Sequence, residues 1–136
     1  MEELFKSLAV SAAGLRAQSQ RMRVIAENMA NSKSMPSDPD QEPYRRKMLT
    51  FSNQLDRTLG ANLVKVGKIV FDMTPFKTHY DPSHPGANDE GYVREPNVNA
   101  LIESMDMREA QRTYEANLSV IATARAMLMR TIGLLN

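Results

Sequence analysis

Cysteine and tryptophan are both absent from the 136 residues. Without thiols the chain can form no disulfide, hold no thiolate-bound metal and run no thiol chemistry. Their absence suits a protein that passes into an oxidising space, without fixing its compartment. Aromatics make up only 6% of the chain, so any core must be built mostly from aliphatic side chains and the ten methionines. The six glycines are scattered and form no phosphate-cradling loop or dinucleotide turn. No G-x-S-x-G or H-E-x-x-H pattern occurs, and no nucleophile has a recognisable base. The expectation is a protein without catalytic activity, cofactor or metal. Charge of one sign is lacking too: seventeen basic and sixteen acidic residues leave a net +1, and both signs are spread along the chain. That excludes the single-sign block of a nucleic-acid patch or membrane-binding arm.

Glu2 and Glu3 stand where a secretory signal has its cationic start, and Lys6 interrupts the first apolar residues, so no cleaved signal peptide is expected. If the protein leaves the cytoplasm, it takes another route. Leu118–Leu135 is the single long apolar stretch, but it contains Arg125 and Arg130. An Arg at the centre of a spanning helix costs about 2.5–3.5 kcal/mol, so no membrane span is expected.

The length suggests one domain, and three zones divide it. Residues 1–31 contain no proline and read as one helix. Phe5, Ala12, Ser19 and Ala26 recur every seven residues, as do Leu8, Leu15, Met22 and Met29, which makes an a/d seam over four heptads. Residues 97–136 form the second helical zone, with Asn97 or Asn99 able to cap it just after Pro96. Met107, Tyr114, Ile121, Leu128 and Leu135 form one seven-residue line. The companion line Gln111, Leu118, Arg125 and Ile132 is mixed. All seven prolines lie in the zone 32–96. There Ser32–Pro43 reads as a loop, Tyr44–Phe51 and Val64–Phe71 as short strands, and His79–Pro96 as a long turn region. The predicted fold is mainly α with a small β module: two long terminal helices forming a coiled-coil-like pair, with a β-rich middle.

Each helix carries apolar residues on a second face. Val10, Ala17 and Val24 lie opposite the first seam, and Val120 and Met127 face away from Ile121 and Leu128. Helix stability in water comes from packing, and one partner covers one seam, so these helices call for neighbours on more than one side. A discrete bundle, an open or tubular polymer, and a helical partner of another protein all satisfy that demand. Small residues such as Ala12, Ala13, Ala17, Ala26 and Ala30 favour close helix approach without choosing among the three.

In the middle zone, His79 and His84 flank Asp81, but no third strong ligand has metal-site spacing, so the segment reads as a shaped surface or interface loop. Arg45-Arg46-Lys47 reads as a strand with exposed charges, the alternative being an electrostatic contact to an acidic partner.

Ala26-Glu27-Asn28-Met29-Ala30-Asn31 resembles the Ala-Asn-rich motif that ends the first helix of flagellar axial proteins. Pro43-Tyr44-Arg45-Arg46-Lys47 resembles a signature of the FlgC family of flagellar proximal rod proteins. So do Tyr80-Asp81-Pro82-Ser83-His84-Pro85, Gly91-Tyr92-Val93 and Pro96-Asn97-Val98-Asn99. Met105, Glu109-Ala110, Tyr114-Glu115-Ala116-Asn117 and Ala124-x-Ala126-Met127 are similar to the family's last helix. The match spans essentially the whole chain. One departure is that the Thr-Pro-Gly turn that often follows the Ala-Asn motif is missing from Ser32–Gln41. The resemblance implies a structural subunit of the basal-body rod crossing the periplasm, exported by the flagellar type III apparatus. Its partners would be copies of itself and other rod proteins. The terminal helices would line a tube that conducts later export substrates and transmits torque, with the middle domain outside. A helical adaptor or chaperone of a type III export system is the alternative. An adaptor should form one small closed oligomer, whereas a rod subunit should be a labile monomer or an open aggregate.

Overall fold

A helix, α1, spans Glu2–Ala30, and a second, α2, spans Ala100–Leu134. Between them lie four strands: β1 (Lys47–Asp56), β2 (Ala61–Phe71), β3 (Lys77–Tyr80) and β4 (Tyr92–Glu95). This computed structural model describes residues 1–135. Strands β1 and β2 form one two-stranded sheet, β3 and β4 another. The chain thus adopts the mainly α architecture with a small β module that the sequence predicts. No helix among the described residues is long and apolar enough to cross a membrane.

Both helices start and stop where local chemistry dictates. Glu2 and Glu3 sit in the first turn of α1, where carboxylates complement the positive end of the helix dipole. At its other end Asn31 Nδ2 donates to the Glu27 carbonyl at 2.9 Å and the Ser32 hydroxyl to the Met29 carbonyl at 2.9 Å, so carbonyls left without intrahelical donors are used. Asn99, rather than Asn97, caps α2: its Oδ1 accepts from the Leu101 and Ile102 amides at 3.1 and 3.4 Å.

The strands differ in detail from expectation. β1 begins three residues later than predicted and runs on to Asp56, and β2 begins at Ala61. The turn between them is organised by Asp56, whose Oδ1 accepts from Thr58 and Leu59 amides at 3.0 and 3.2 Å, with Gly60 at φ 65°. The region His79–Pro96 is not all turn. Its two ends form β3 and β4, paired antiparallel with Lys77 opposite Glu95 and Tyr80 opposite Tyr92. Its Pro, Asp and Gly residues are the loop of a hairpin, and their density hides two four-residue strands.

The chain divides into two compact units. The first comprises Met1–Met22, Thr50–Lys68 and the helix from Arg108 onward. In it α1 and α2 approach closely through small residues. Ala13, Ala17, Ala110 and Ala124 are buried, and a Cβ on Gly14 would lie 2.7 Å from Asn117 Nδ2. Arg21 and Glu109 add an ion pair at 3.6 Å. The second unit comprises Arg23–Leu49 and Ile69–Met107. Its core includes Val24, Ile25 and Val93, together with the buried polar side chains of Asn28 and Glu103.

Candidate functional site

The segment Pro43–Lys47, in the second unit, is densely hydrogen-bonded. Asn28, near the end of α1, is 1% exposed. Its Nδ2 donates to the Lys47 carbonyl at 2.8 Å while its Oδ1 accepts the Lys47 amide at 3.0 Å. A side-chain amide thereby pairs with one residue's backbone as a neighbouring strand would. The Tyr44 hydroxyl donates to the same Oδ1 at 2.7 Å, and Lys47 Nζ meets Glu27 at 2.6 Å. Burial, with Glu27 and Glu103 adding to it, pushes the Tyr44 hydroxyl up to about 12, so it remains a donor at neutral pH.

The preceding residue binds the other helix. Arg46 Nε donates to Glu103, which is 0% exposed. Its Nη1 lies 3.3 Å from Asp72 and its Nη2 3.7 Å from Asp106. Burial works against the guanidinium's charge, but the hydrogen bond and charge of Glu103, followed by those of Asp72, hold its pKa above the ordinary value. Asp72 is held below the usual carboxylate range, first by hydrogen bonds from the Thr74 hydroxyl and amide and further by Arg46. Asn97 knits the same corner: its Oδ1 accepts the Arg46 amide at 2.7 Å and its Nδ2 donates to the Asp72 and Thr74 carbonyls at 2.8 and 3.0 Å. Arg45 lies over the Phe76 ring at 4.2 Å and donates to the Asp72 carbonyl at 3.0 Å. The expected strand with exposed charges is therefore a correction: Arg45, Arg46 and Lys47 are all half-buried and engaged within the chain. Pro43 itself is buried. A buried ion pair adds little net stability over an apolar pair, yet stranding one partner costs about 3–5 kcal/mol. The arrangement thus fixes how α1, α2 and the start of β1 meet.

The hairpin loop between β3 and β4 is shaped by its backbone. Gly91 has φ 87°, and a Cβ there would fall 2.9 Å from Tyr80 Cε2 and 3.2 Å from Pro82 Cγ. Its amide donates to the Asn88 carbonyl and its carbonyl accepts the Asp81 amide, both at 2.9 Å. Tyr80 and Tyr92 meet edge to face at 5.4 Å. Asp81 Oδ1 accepts the Ser83 hydroxyl at 2.9 Å. His84 Nδ1 accepts the Gly86 amide at 2.9 Å, which seats Gly86 so close to Pro36 that a Cβ would lie 2.3 Å from its carbonyl oxygen. His79 faces Glu95 at 2.7 Å. The two histidines thus make separate contacts, and no cluster of three potential metal ligands occurs among the described residues. Pro82 and Pro85 are exposed.

A family model described as flagellar basal body rod FlgEFG protein C-terminal matches residues 89–134. A flagellar basal-body rod protein FlgC of Agrobacterium fabrum is 45% identical over 135 residues, 99% of this chain and 97% of the relative. The chain belongs to the flagellar basal-body rod protein FlgC family. Its counterpart in Bacillus subtilis is 39% identical, covering 94% of this chain and 95% of the relative. That in Salmonella typhimurium is 37% identical, covering 92% of both. Membership makes the chain a structural subunit of the flagellar basal-body rod, and sets the adaptor reading aside.

The FlgC-like motif positions Asn28, Tyr44, Arg45, Arg46 and Asn97 come together in one cluster, and Asp81, Pro82, His84, Pro85 and Gly91 in the hairpin loop. Asn31 and Asn99 are helix caps. The helix-packing positions are distributed differently. In α1, Leu8, Ala12, Leu15, Met22 and Met29 are half-buried, Ala26 is exposed and Phe5 is 48% exposed. In α2, Met107, Tyr114, Ile121 and Leu128 are half-buried, whereas Leu118, Ile132 and Leu135 are exposed. The fully buried positions are instead Ser11, Ala13, Gly14, Ala17, Ala110 and Ala124 in the first unit. Sequence reasoning missed Asp72, Glu103, Asp106, Gly86 and Asn88. Glu103 offered one signal: an acidic residue one turn after the Asn99 cap, seven residues before buried Ala110 on the same helical line.

Proposed function

We infer that the chain is a subunit of the proximal rod that assembles through its terminal helices into a helical tube. In this reading residues 1–31 and 97–136 form the inner tube and residues 32–96 lie outside it. The tube conducts later export substrates and transmits torque. Its partners are copies of itself and neighbouring rod proteins. The subunit reaches the basal body through the flagellar type III apparatus without a cleaved signal peptide, and it performs no catalysis.

One observation carries the reading. In the first unit the helices pack on each other through small residues, while Phe5, Val10, Leu118, Val120, Met127 and Ile132 remain exposed. Large apolar side chains in such number on two helices mark an interaction surface. Leu118→Asp tests it, because Leu118 is 49% exposed and its replacement should leave the subunit's own fold intact. The expected result is a normal thermal unfolding curve for the purified variant, with loss of motility and of rods in isolated basal bodies. Normal swimming with Leu118→Asp at wild-type expression would overturn helix-mediated assembly.

A further inference from the structure

Along the sequence basic and acidic residues are mixed, but the fold sorts them. The first unit holds ten Lys and Arg against five Asp and Glu, and the second holds seven against eleven. The side chains thus leave the first unit at a net +5 and the second at −4. Opposite charge on the two units favours contact between copies, the first unit of one against the second unit of another.

The positive unit has a groove. It opens between α1 and the β1–β2 hairpin, with a volume of about 400 Å³, and is lined by Arg16 and Gln20 from the helix and Gln54 and Lys65 from the hairpin. No acid lines it. Among the described residues neither Arg16 nor Lys65 makes an ion pair. The acids of the same unit are engaged or turned away. Gly14 faces Asn117 of α2, and Arg16 stands about 200° round the helix from it, so Glu109 and Glu115 of α2 lie across α1. Glu2 and Glu3 pair with Lys6, about 20 Å along the helix from Arg16. Asp56 accepts the Thr58 and Leu59 amides and has Arg57 as its neighbour.

The negative unit has a matching projection. The β3–β4 loop, residues 81–91, contains Asp81, Asp89 and Glu90 and no Lys or Arg. Asp89 and Glu90 are exposed, and neither makes an ion pair among the described residues. Their backbone is fixed: Asn88 Oδ1 accepts the Glu90 and Tyr92 amides at 3.0 and 2.9 Å, and Gly91 closes the turn. Arg94, the next cation in the hairpin, donates to the Gln41 carbonyl at 3.0 Å.

We propose that the Asp89–Glu90 turn docks into the Arg16–Lys65 groove of a second copy of this chain. Two adjacent carboxylates meet two cations, and the Gln20 and Gln54 amides offer donors for the remaining lone pairs. The inference rests on the proposed assembly of copies, and adds to it a contact other than the packing of terminal helices on one another. Turn and groove are different surfaces, so the contact is heterologous and continues from copy to copy.

The absence of native cysteine makes the test direct. Gln20→Cys and Asp89→Cys are placed in separate chains, co-expressed in bacteria with no other source of this subunit, and isolated basal bodies are oxidised. Docking gives the two thiols a high effective concentration, so their disulfide-linked heterodimer should rise at least about tenfold over an Asp89→Cys and Ala116→Cys control pair. Arg16→Glu/Lys65→Glu in the Gln20→Cys chain should cut that yield several-fold, and Glu90→Lys in the Asp89→Cys chain should restore it. All these positions are exposed, so the purified variants should keep the wild-type unfolding curve. Rods that contain both chains but give no heterodimer above the control would overturn the docking and leave helix-mediated assembly standing. A yield unmoved by the groove reversal, or not restored by Glu90→Lys, would overturn the charge pairing on which the docking rests. Swimming tests the same pairing without cysteines: Arg16→Glu/Lys65→Glu should abolish it, and Asp89→Lys/Glu90→Lys added to that chain should bring it back. Normal swimming with the groove reversal alone would overturn the proposal. Absence of the wild-type chain from isolated rods would overturn the docking and the assembly reading together.

Discussion

Arg46→Met should be among the most damaging single changes in the chain. It removes the one group that satisfies Glu103, whose Oε2 is already buried without a hydrogen-bond partner. A buried carboxylate stripped of its cation costs about 3–5 kcal/mol. Glu103→Leu should cost less, about 1.5–3 kcal/mol for a lost hydrogen bond between charged groups. It strands nothing, because Arg46 keeps Asp72 at 3.3 Å and Asp106 at 3.7 Å. In Arg46→Met/Glu103→Leu the buried charge is gone altogether, and Asp72 and Asp106, partly exposed, turn to solvent. The double variant should therefore be less destabilised than the sum of the singles, with a coupling of about 1–3 kcal/mol. Urea unfolding followed by tyrosine emission is the assay. The chain has no tryptophan, and Tyr44, Tyr80 and Tyr92, three of its four tyrosines, lie in the unit that holds the pair. The reasoning is refuted if the singles add within about 0.5 kcal/mol, the tolerance of independent sites.

Gly91→Val should impair rod assembly more than His84→Gln. A β-branched residue resists φ 87° and its Cβ would press on Tyr80 and Pro82, at a cost of about 1–3 kcal/mol for the backbone alone. Motility and basal-body counts at matched expression compare the two, and complete loss in His84→Gln with normal Gly91→Val would reopen a chemical role for the histidine. Stability of the second unit should fall as pH rises from the free tyrosine value of 10 through about 12, because the raised Tyr44 favours the neutral folded donor. Tyr44→Phe should remove that alkaline limb in pH-dependent urea midpoints. Amide exchange in the dilute monomer should be fast over residues 2–22 and 108–135 and slower over 24–28 and 103–107, which the Arg46 and Asn28 contacts anchor. Equally slow exchange throughout both helices would show that assembly adds no order to them.

The two helices were legible because thirty residues without proline, bounded by Asn caps, admit little else. Which stripe each helix buries was not legible from hydrophobicity. The line Phe5, Leu8, Leu15 and Met22 is the more apolar, yet Ser11, Gly14 and Ala17 lie deepest, because close helix approach selects small residues over greasy ones. The hairpin loop showed its turn residues plainly, but β3 and β4 are four residues each, too short for period-two alternation to register. The basic run was visible, whereas its partners were not: Asp72 and Glu103 lie 26 and 57 residues from Arg46, and no local pattern carries such a pairing.

Arg46 and Lys47 are neighbours in sequence, and one grips α2 while the other grips α1. At the start of a strand successive side chains point to opposite faces, so this two-sided grip depends on parity. Inserting or deleting one residue between Tyr44 and Lys47 would exchange the sides, turning the arginine toward Asn28 and leaving Glu103 facing no cation. Residues 37–40 carry no such constraint, since the hydrogen bonds of Ser37 and Asp40 stay within that turn and Gln41. Length variation among rod subunits of this kind should therefore collect ahead of Pro43 and stop there, with the clasp acting as the fixed mark from which the rest of the strand is counted.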